Sequence, residues 1–303
     1  IITRPANETP GTFIEAGAGL YDEGFLQARQ GFQVSDNTHA RVFFDGWTHG
    51  PLEDSAGNNT EDESERTAVG IRVDHFFKND AHLRIGADFF DAAQGFPTNF
   101  IATPVASEDM QRGGSLEGSY TRELTGDWQM AINSYWHYED LTFGQFGQAV
   151  EEEAFSVSSH TIDLDGLFTF NGGDRHKLTM GGGIRYIAFN LDEGYLGLDF
   201  QPDEEDWILL NLFIEDEITL VPDRLRLTAG AKLLYNNQTD AGVLPNLRLL
   251  YTPSDRQRWW AAAAQSLKTP TLVNGVGGLV DVGIPGLNPF FTGEPLEDET
   301  VHT

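Results

Sequence analysis

The sequence predicts an all-β fold, an antiparallel transmembrane β-barrel assembled hairpin by hairpin. Three observations carry that prediction. Apolar and polar residues alternate with period two through most of the chain. The connections alternate between tight turns and long polar loops, as in a barrel whose short turns face one side of a membrane and whose longer loops face the other. Aromatic residues gather at the ends of the alternating runs, among them Phe76, Phe77, Trp128, Trp136, Tyr138, Trp207, Tyr235, Tyr251, Trp259 and Trp260, as interfacial girdles do. Aromatic residues favour strands in any case, and a soluble sandwich shares the alternation. A sandwich, however, has no reason to sort its loops by length.

The first expected strands are 12–21 and 25–35, joined at Asp22-Glu23-Gly24. Asp36-Asn37 turns the chain into 38–49, where His39, Arg41 and Asp45 oppose Ala40, Val42 and Phe44, with Phe43 as an exception. A long loop near 50–65 leads to strand 65–77, with Val69, Ile71 and Val73 opposed to Gly70, Arg72 and Asp74. Lys78-Asn79-Asp80 then opens 81–91, which sets Leu83, Ile85, Ala87 and Phe89 against His82, Arg84, Gly86 and Asp88. Loop 92–110 precedes the pair 111–124 and 127–142, joined at Thr125-Gly126-Asp127. Loop 143–154 precedes 155–170 and 175–189, joined at Asn171-Gly172-Gly173-Asp174. Loop 190–206 precedes 207–220 and 224–236, joined at Val221-Pro222-Asp223. Loop 236–244 precedes 245–253 and 257–267, joined at Ser254-Asp255, and after loop 267–298 a further strand begins at about 299. Many of these runs reach the roughly 9–11 residues that a tilted membrane strand needs, against about 5–6 in an ordinary globular strand. Thirteen strands and a beginning do not close a bacterial barrel, in which the strand number is even. An open edge in lipid would leave backbone groups unsatisfied, so the sequence is expected to be part of a longer protein.

Composition excludes several classes. With 19 basic residues against 47 acidic ones and a net charge of −28, the chain lacks the cations that nucleic acid requires. It has no cysteine, hence no disulfide and no thiolate metal site. No apolar stretch reaches the roughly 18 residues of a membrane helix. The eight histidines form no H-E-x-x-H pair, and Gly114-Ser115-Leu116-Glu117-Gly118 has the wrong spacing for a nucleophile elbow, so no enzyme is expected. The acids cluster in the long loops: Glu53, Asp54, Glu61, Asp62, Glu63 and Glu65, then 151–153, 203–206 and 294–299. Two readings stand. The clusters solvate exposed loops, or Asp54, Glu61, Asp62 and Glu63 hold a Ca2+ ion; no segment fits the EF-hand pattern.

Two short motifs add a resemblance. Ile1-Ile2-Thr3-Arg4-Pro5 resembles the end of the plug domain in TonB-dependent outer-membrane receptors, where N-I-I-T-[KR] precedes the barrel. Ser266-Leu267-Lys268-Thr269-Pro270 is similar to that family's S-x-[RK]-T-P segment, and Gly293-Glu294-Pro295-Leu296-Glu297-Asp298-Glu299-Thr300 resembles its G-N-P-x-L-x-P-E-T stretch, with Glu294 for Asn, Asp298 for Pro and one residue fewer between them. The resemblance implies a barrel of about 22 strands around an internal plug, in the outer membrane of a Gram-negative bacterium. Residues 1–10 would be the end of the plug domain and its linker, and 11–303 the N-terminal part of the barrel. It also implies uptake of a scarce nutrient, such as a ferric siderophore, haem or a cobalamin-like ligand, energised by the TonB–ExbB–ExbD complex through the plug. A passive porin-type channel and a soluble β-rich binding protein are the competing readings.

Within that frame the lumen-facing cations Arg29, Arg41, Arg72, Arg84, Arg185, Arg226, Lys232 and Arg248 either pair with acids of the plug and lumen or attract an anionic ligand. The acidic loops would repel a free anion, which leaves a neutral or cationic ligand equally open. The loop aromatics Trp47, Phe96, Phe100, Phe143, Phe146, Tyr195, Phe200, Phe290 and Phe291 either anchor loops to the rim or stack on a flat ligand. The candidate ligand residues are thus Trp47, Phe96, Phe143, Phe146, Tyr195, Phe290, Phe291, Arg41 and Arg84; the partners are outer-membrane lipid and a small-molecule or metal-chelate ligand, with no resident cofactor beyond the Ca2+ considered above.

Overall fold

The computed structural model describes residues 4–60, 62–98, 105–124, 126–143, 155–193, 203–268 and 299–302. They form one antiparallel sheet of 14 strands in strict sequence order, each strand paired with the next. The strands are β1 (Gly11–Gly17), β2 (Asp22–Ser35), β3 (Thr38–His49), β4 (Ser64–Phe76), β5 (His82–Thr98), β6 (Val105–Glu123) and β7 (Trp128–Phe143). They continue as β8 (Phe155–Gly172), β9 (His176–Glu193), β10 (Glu204–Val221), β11 (Leu225–Asn236), β12 (Thr239–Ser254), β13 (Gln257–Lys268) and β14 (Glu299–His302). Every strand expected from the alternation is present.

One row of the ladder shows why. Val42, Ile71, Ala87, Leu116, Trp136, Ile162, Tyr186 and Ile208 lie directly opposite one another across β3 to β10. One residue further along, the row reads Arg41, Arg72, Gly86, Glu117, Tyr135, Asp163, Arg185 and Leu209. Successive side chains on a strand point to opposite faces, so register alone sorts the sheet into an apolar wall and a polar wall. The apolar wall is bare: Leu212 is 63% exposed and Ile162 52%, whereas the buried apolar residues among those described are Ala6, Ala40, Ala68, Ala81 and Leu191. An apolar face of this extent is covered by lipid. Aromatics mark its edges. Tyr138 lies 4.8 Å from His160 towards the long-loop side, and Phe77 meets Tyr120 edge-on while Trp128 stacks on Phe170 at the tight-turn side.

Two expectations are corrected. The first hairpin does not turn at Asp22-Glu23-Gly24: β1 stops at Gly17, residues 18–21 make the turn, with the Gly19 N–H donating to the Asp22 carbonyl at 2.6 Å, and the ladder shifts register between Asp22 and Gly24. The expected loop 236–244 is a tight turn at Asn237-Gln238, with Asn236 opposite Thr239 and Leu234 opposite Gly242. Pairing satisfies the backbone whatever the side chains, so polar residues beyond the lipid zone continue the strand. Pro245 fits because the ladder to β13 stops at Asn246, which leaves it at an edge where proline is tolerated. Strands β5, β6, β9 and β10 likewise run past the ends expected from the sequence.

Candidate functional site

The polar wall is a continuous hydrogen-bonded surface. Arg84 pairs with Glu117 at 3.5 Å, Arg185 with Asp163 at 2.8 Å, and Arg226 with Glu217 at 3.2 Å. Ser115 donates to Asp88, and Ser119 donates to Asn133, which donates to Asp165. Arg72 is likewise matched by Asp74, whereas Arg29, Arg41, Lys232 and Arg248 form no ion pair with an acid among the described residues.

Towards the long-loop ends of β2 to β5 the same face gathers aromatic rings. Phe25 lies opposite Trp47, and Trp47 opposite Arg66. Trp47 also stacks on His49 at 4.3 Å between centroids. Phe43 and Phe90 lie flat over the backbone of the adjacent strand, where Gly70 and Gly113 leave room: a Cβ on either glycine would stand 2.4 and 2.7 Å from the ring. The Arg66 guanidinium sits 5.5 Å above Phe90 and 3.3 Å from Asp45. Ring faces with a guanidinium among them suit a planar or conjugated ligand, by stacking and cation–π attraction.

The other candidates are dispersed. Arg41 and Arg84 stand near the tight-turn ends of β3 and β5, remote in register from Trp47 and Arg66. Arg41 donates to the Arg4 carbonyl at 3.1 Å and Arg84 is held by Glu117, so both serve the wall itself. Phe143 ends β7 opposite Phe155, and Phe96 lies opposite Ser107 near the end of β5. Phe146, Tyr195, Phe290, Phe291 and Glu61 lie outside the described residues. Arg66, Phe25, Phe43 and Phe90 were missed by the sequence reading, although the parity that places Arg72 on the lumen face also places Arg66 there.

In the acidic loop, Asp54 accepts the N–H groups of Ala56 and Asn58 at 2.8 and 2.9 Å and the Asn58 side-chain amide at 3.0 Å. The Asn58 backbone donor, then its side chain and Ala56, hold the Asp54 carboxyl below its usual range. The Thr60 hydroxyl and then the Leu52 N–H do the same for Asp62, at 2.6 and 2.8 Å. Both carboxylates close turns, and no group of three or more His, Cys, Asp or Glu gathers for a metal among the described residues.

At the opposite end of the wall lies residue segment 4–10, which includes a short 3-10 turn at Ala6–Glu8. It runs over the lumen face of β2, β3 and β4. Asp74, wholly inaccessible to solvent, receives the Ala6 N–H at 2.8 Å, Arg72 through two nitrogens at 2.7 and 2.8 Å, and His82 Nε2 at 2.8 Å.

A sequential antiparallel sheet that is bare and apolar on one face, hydrogen-bonded and charged on the other, and overlaid by its N-terminal segment on the polar side defines the wall of a transmembrane β-barrel. The comparisons give the family. The sequence profile described as "TonB dependent receptor-like, beta-barrel" matches residues 17–303, and the chain belongs to that family. Its place is the outer membrane of a Gram-negative bacterium. No curated protein sequence matches. Among solved structures, a point mutant of the ferric enterobactin receptor of Pseudomonas aeruginosa in complex with enterobactin is similar with a TM-score of 0.70 at 13% identity, over 90% of this chain and 47% of that one. The siderophore receptor PirA of Pseudomonas aeruginosa gives 0.68 at 13% identity over 98% and 52%. The ferripyoverdine receptor of the same organism, bound to ferripyoverdine, gives 0.68 at 13% identity over 89% and 44%. At such identities the likeness is one of fold, and this chain spans about half the length of those receptors.

Proposed function

We infer that the chain is part of the wall of a receptor that takes up a ferric siderophore of low net charge, driven by the TonB–ExbB–ExbD complex. Family membership and the siderophore receptors among its structural neighbours support the transport class. The low ligand charge rests on one observation: the wall cations Arg66, Arg84, Arg185 and Arg226 are each paired with a carboxylate. Arg29, Arg41, Lys232 and Arg248 have no ion pair with an acid among the described residues, but their positive field is set against a chain of net charge −28. The ring faces of Trp47, Phe25, Phe43 and Phe90 then supply contact area by stacking, independent of ligand charge.

The test is growth of a deletion strain and its complemented parent under iron limitation. Neutral ferric trihydroxamates, anionic ferric tris-catecholates, haem and cobalamin are each supplied as the scarce nutrient. Rescue by the neutral chelate, lost on collapsing the proton gradient, is the expected result. Rescue only by the tris-catecholate overturns the charge argument, and uptake without the proton gradient overturns active transport in favour of a diffusion channel.

A further inference from the structure

We propose that Asp74 is the mooring point at which the chain entering the barrel is made fast to its wall, so that tension applied N-terminal to Arg4 is borne by β4 and β5 and not by β1. The fastening is built from both sides. On the wall, Asp74 is fully buried and its two oxygens are shared among Arg72, His82 and the backbone N–H of Ala6. On the segment, Ala6 and Thr9 are buried at 2% and 5% exposure, although the chain around them has almost no regular structure. Arg41 adds a donor to the Arg4 carbonyl.

The seat itself is a missing side chain. A Cβ on Gly31 of β2 would stand 1.9 Å from the Thr9 carbonyl oxygen and 3.1 Å from Pro10 Cα. The segment's backbone thus occupies the space a side chain would fill. Gly11, at φ +80°, then turns the chain out of this seat into β1. The only route from the segment to β1 passes through that turn, downstream of the Asp74 contact. A pull from the N-terminal side therefore reaches the Arg41 contact and then the buried carboxylate before it reaches the turn into β1. Hydrogen bonds to a buried ionised group are the strong kind, and removing the acceptor strands a buried guanidinium.

The fastening is read directly from the structure. Its mechanical purpose rests on the proposed energised transport, in which a domain preceding Ile1 is pulled. The test uses the full-length receptor in detergent and two variants that loosen the seat by unrelated means. Asp74→Asn weakens the acceptor. Gly31→Ala leaves every charge in place and collides only with the segment. Hydrogen exchange of peptides spanning 4–10 is expected to rise at least tenfold in both, with peptides from β3, β4 and β5 unchanged in Gly31→Ala. In single-molecule pulling from the N-terminus, the parent should pause with β1 still seated, and both variants should lose β1 at lower force. Unchanged exchange over 4–10 in Gly31→Ala overturns the seat. Increased exchange with an unchanged force for β1 extraction overturns its load-bearing role. Neither readout needs a ligand or uptake, so failure of the transport reading shows in the growth assay alone.

Discussion

Phe43 interrupts an otherwise regular alternation in β3, because an aromatic residue stands where the polar face is due. Its ring fits by lying flat over Gly70 on the next strand, an arrangement that a reading of one strand at a time does not reveal. Arg66 is less legible for a related reason: it lies at the start of the expected strand 65–77, before the run 69–74 in which the alternation is clear. Conversely, Arg41 and Arg84 carry the right charge on the right face yet are engaged by the wall and the N-terminal segment. Asp54 and Asp62 each accept donors from within their own loop. Their donors favour the ionised form, which fixes the sign of a pH effect. A carboxyl whose pKa is lower folded than unfolded contributes stability above the unfolded value, about 3.9 for Asp, and loses it as pH falls through the folded one. Protease cleavage between Pro51 and Thr60 should therefore be slow at pH 7 and accelerate below about pH 4. Replacing Asp54 by Asn should flatten that dependence, and an unaltered profile would separate the loop's order from this carboxylate.

At the scale of the strand, period two was legible almost everywhere, because a membrane wall demands strict sorting. A charge at the lipid midplane costs about 2–4 kcal/mol, whereas lumen positions tolerate it. Leu212→Arg on the lipid face of β10 should reduce refolding stability in vesicles by about that amount, while Thr228→Arg on the lumen face of β11 should change it by less than about 1 kcal/mol. Equal losses would mean that the faces have been assigned the wrong way round. Strand ends were less legible, because the constraint ends where lipid ends. Beyond it Asn236, Thr239 and Gly242 read as loop and yet pair. Four of the tight turns are legible because they carry a residue suited to positive φ: Asp80 at 59°, Gly126 at 79°, Gly173 at 64° and Asp223 at 60°.

Across the whole molecule, the sequential order of the strands makes sidedness a matter of arithmetic: every second connection lies on the same side. The tight turns at Asp80 and Gly173 belong to the periplasmic side and the loop around Gly57 to the exterior. Since the chain has no cysteine, single-cysteine variants offer a clean measure. An impermeant maleimide added to intact cells should label Gly57→Cys and spare Gly173→Cys until the outer membrane is opened; the reverse pattern would invert the barrel. What the sequence could not disclose at this scale was the seat of the N-terminal segment, which joins Ala6 to a carboxylate 68 positions away. Contacts at such separation leave no local period to read.

Gly31 carries an evolutionary consequence. A hollow cannot be improved by adding to it: any substitution at that position supplies the very atoms that evict the Thr9 backbone. Drift elsewhere on the lumen face can be absorbed by exchanging one polar side chain for another, as a fold kept at 13% identity illustrates. The hollow offers no such latitude. Across relatives it should therefore survive as glycine, or disappear together with the stretch of chain that lies in it, so that the two inherit or lose their fit as one character.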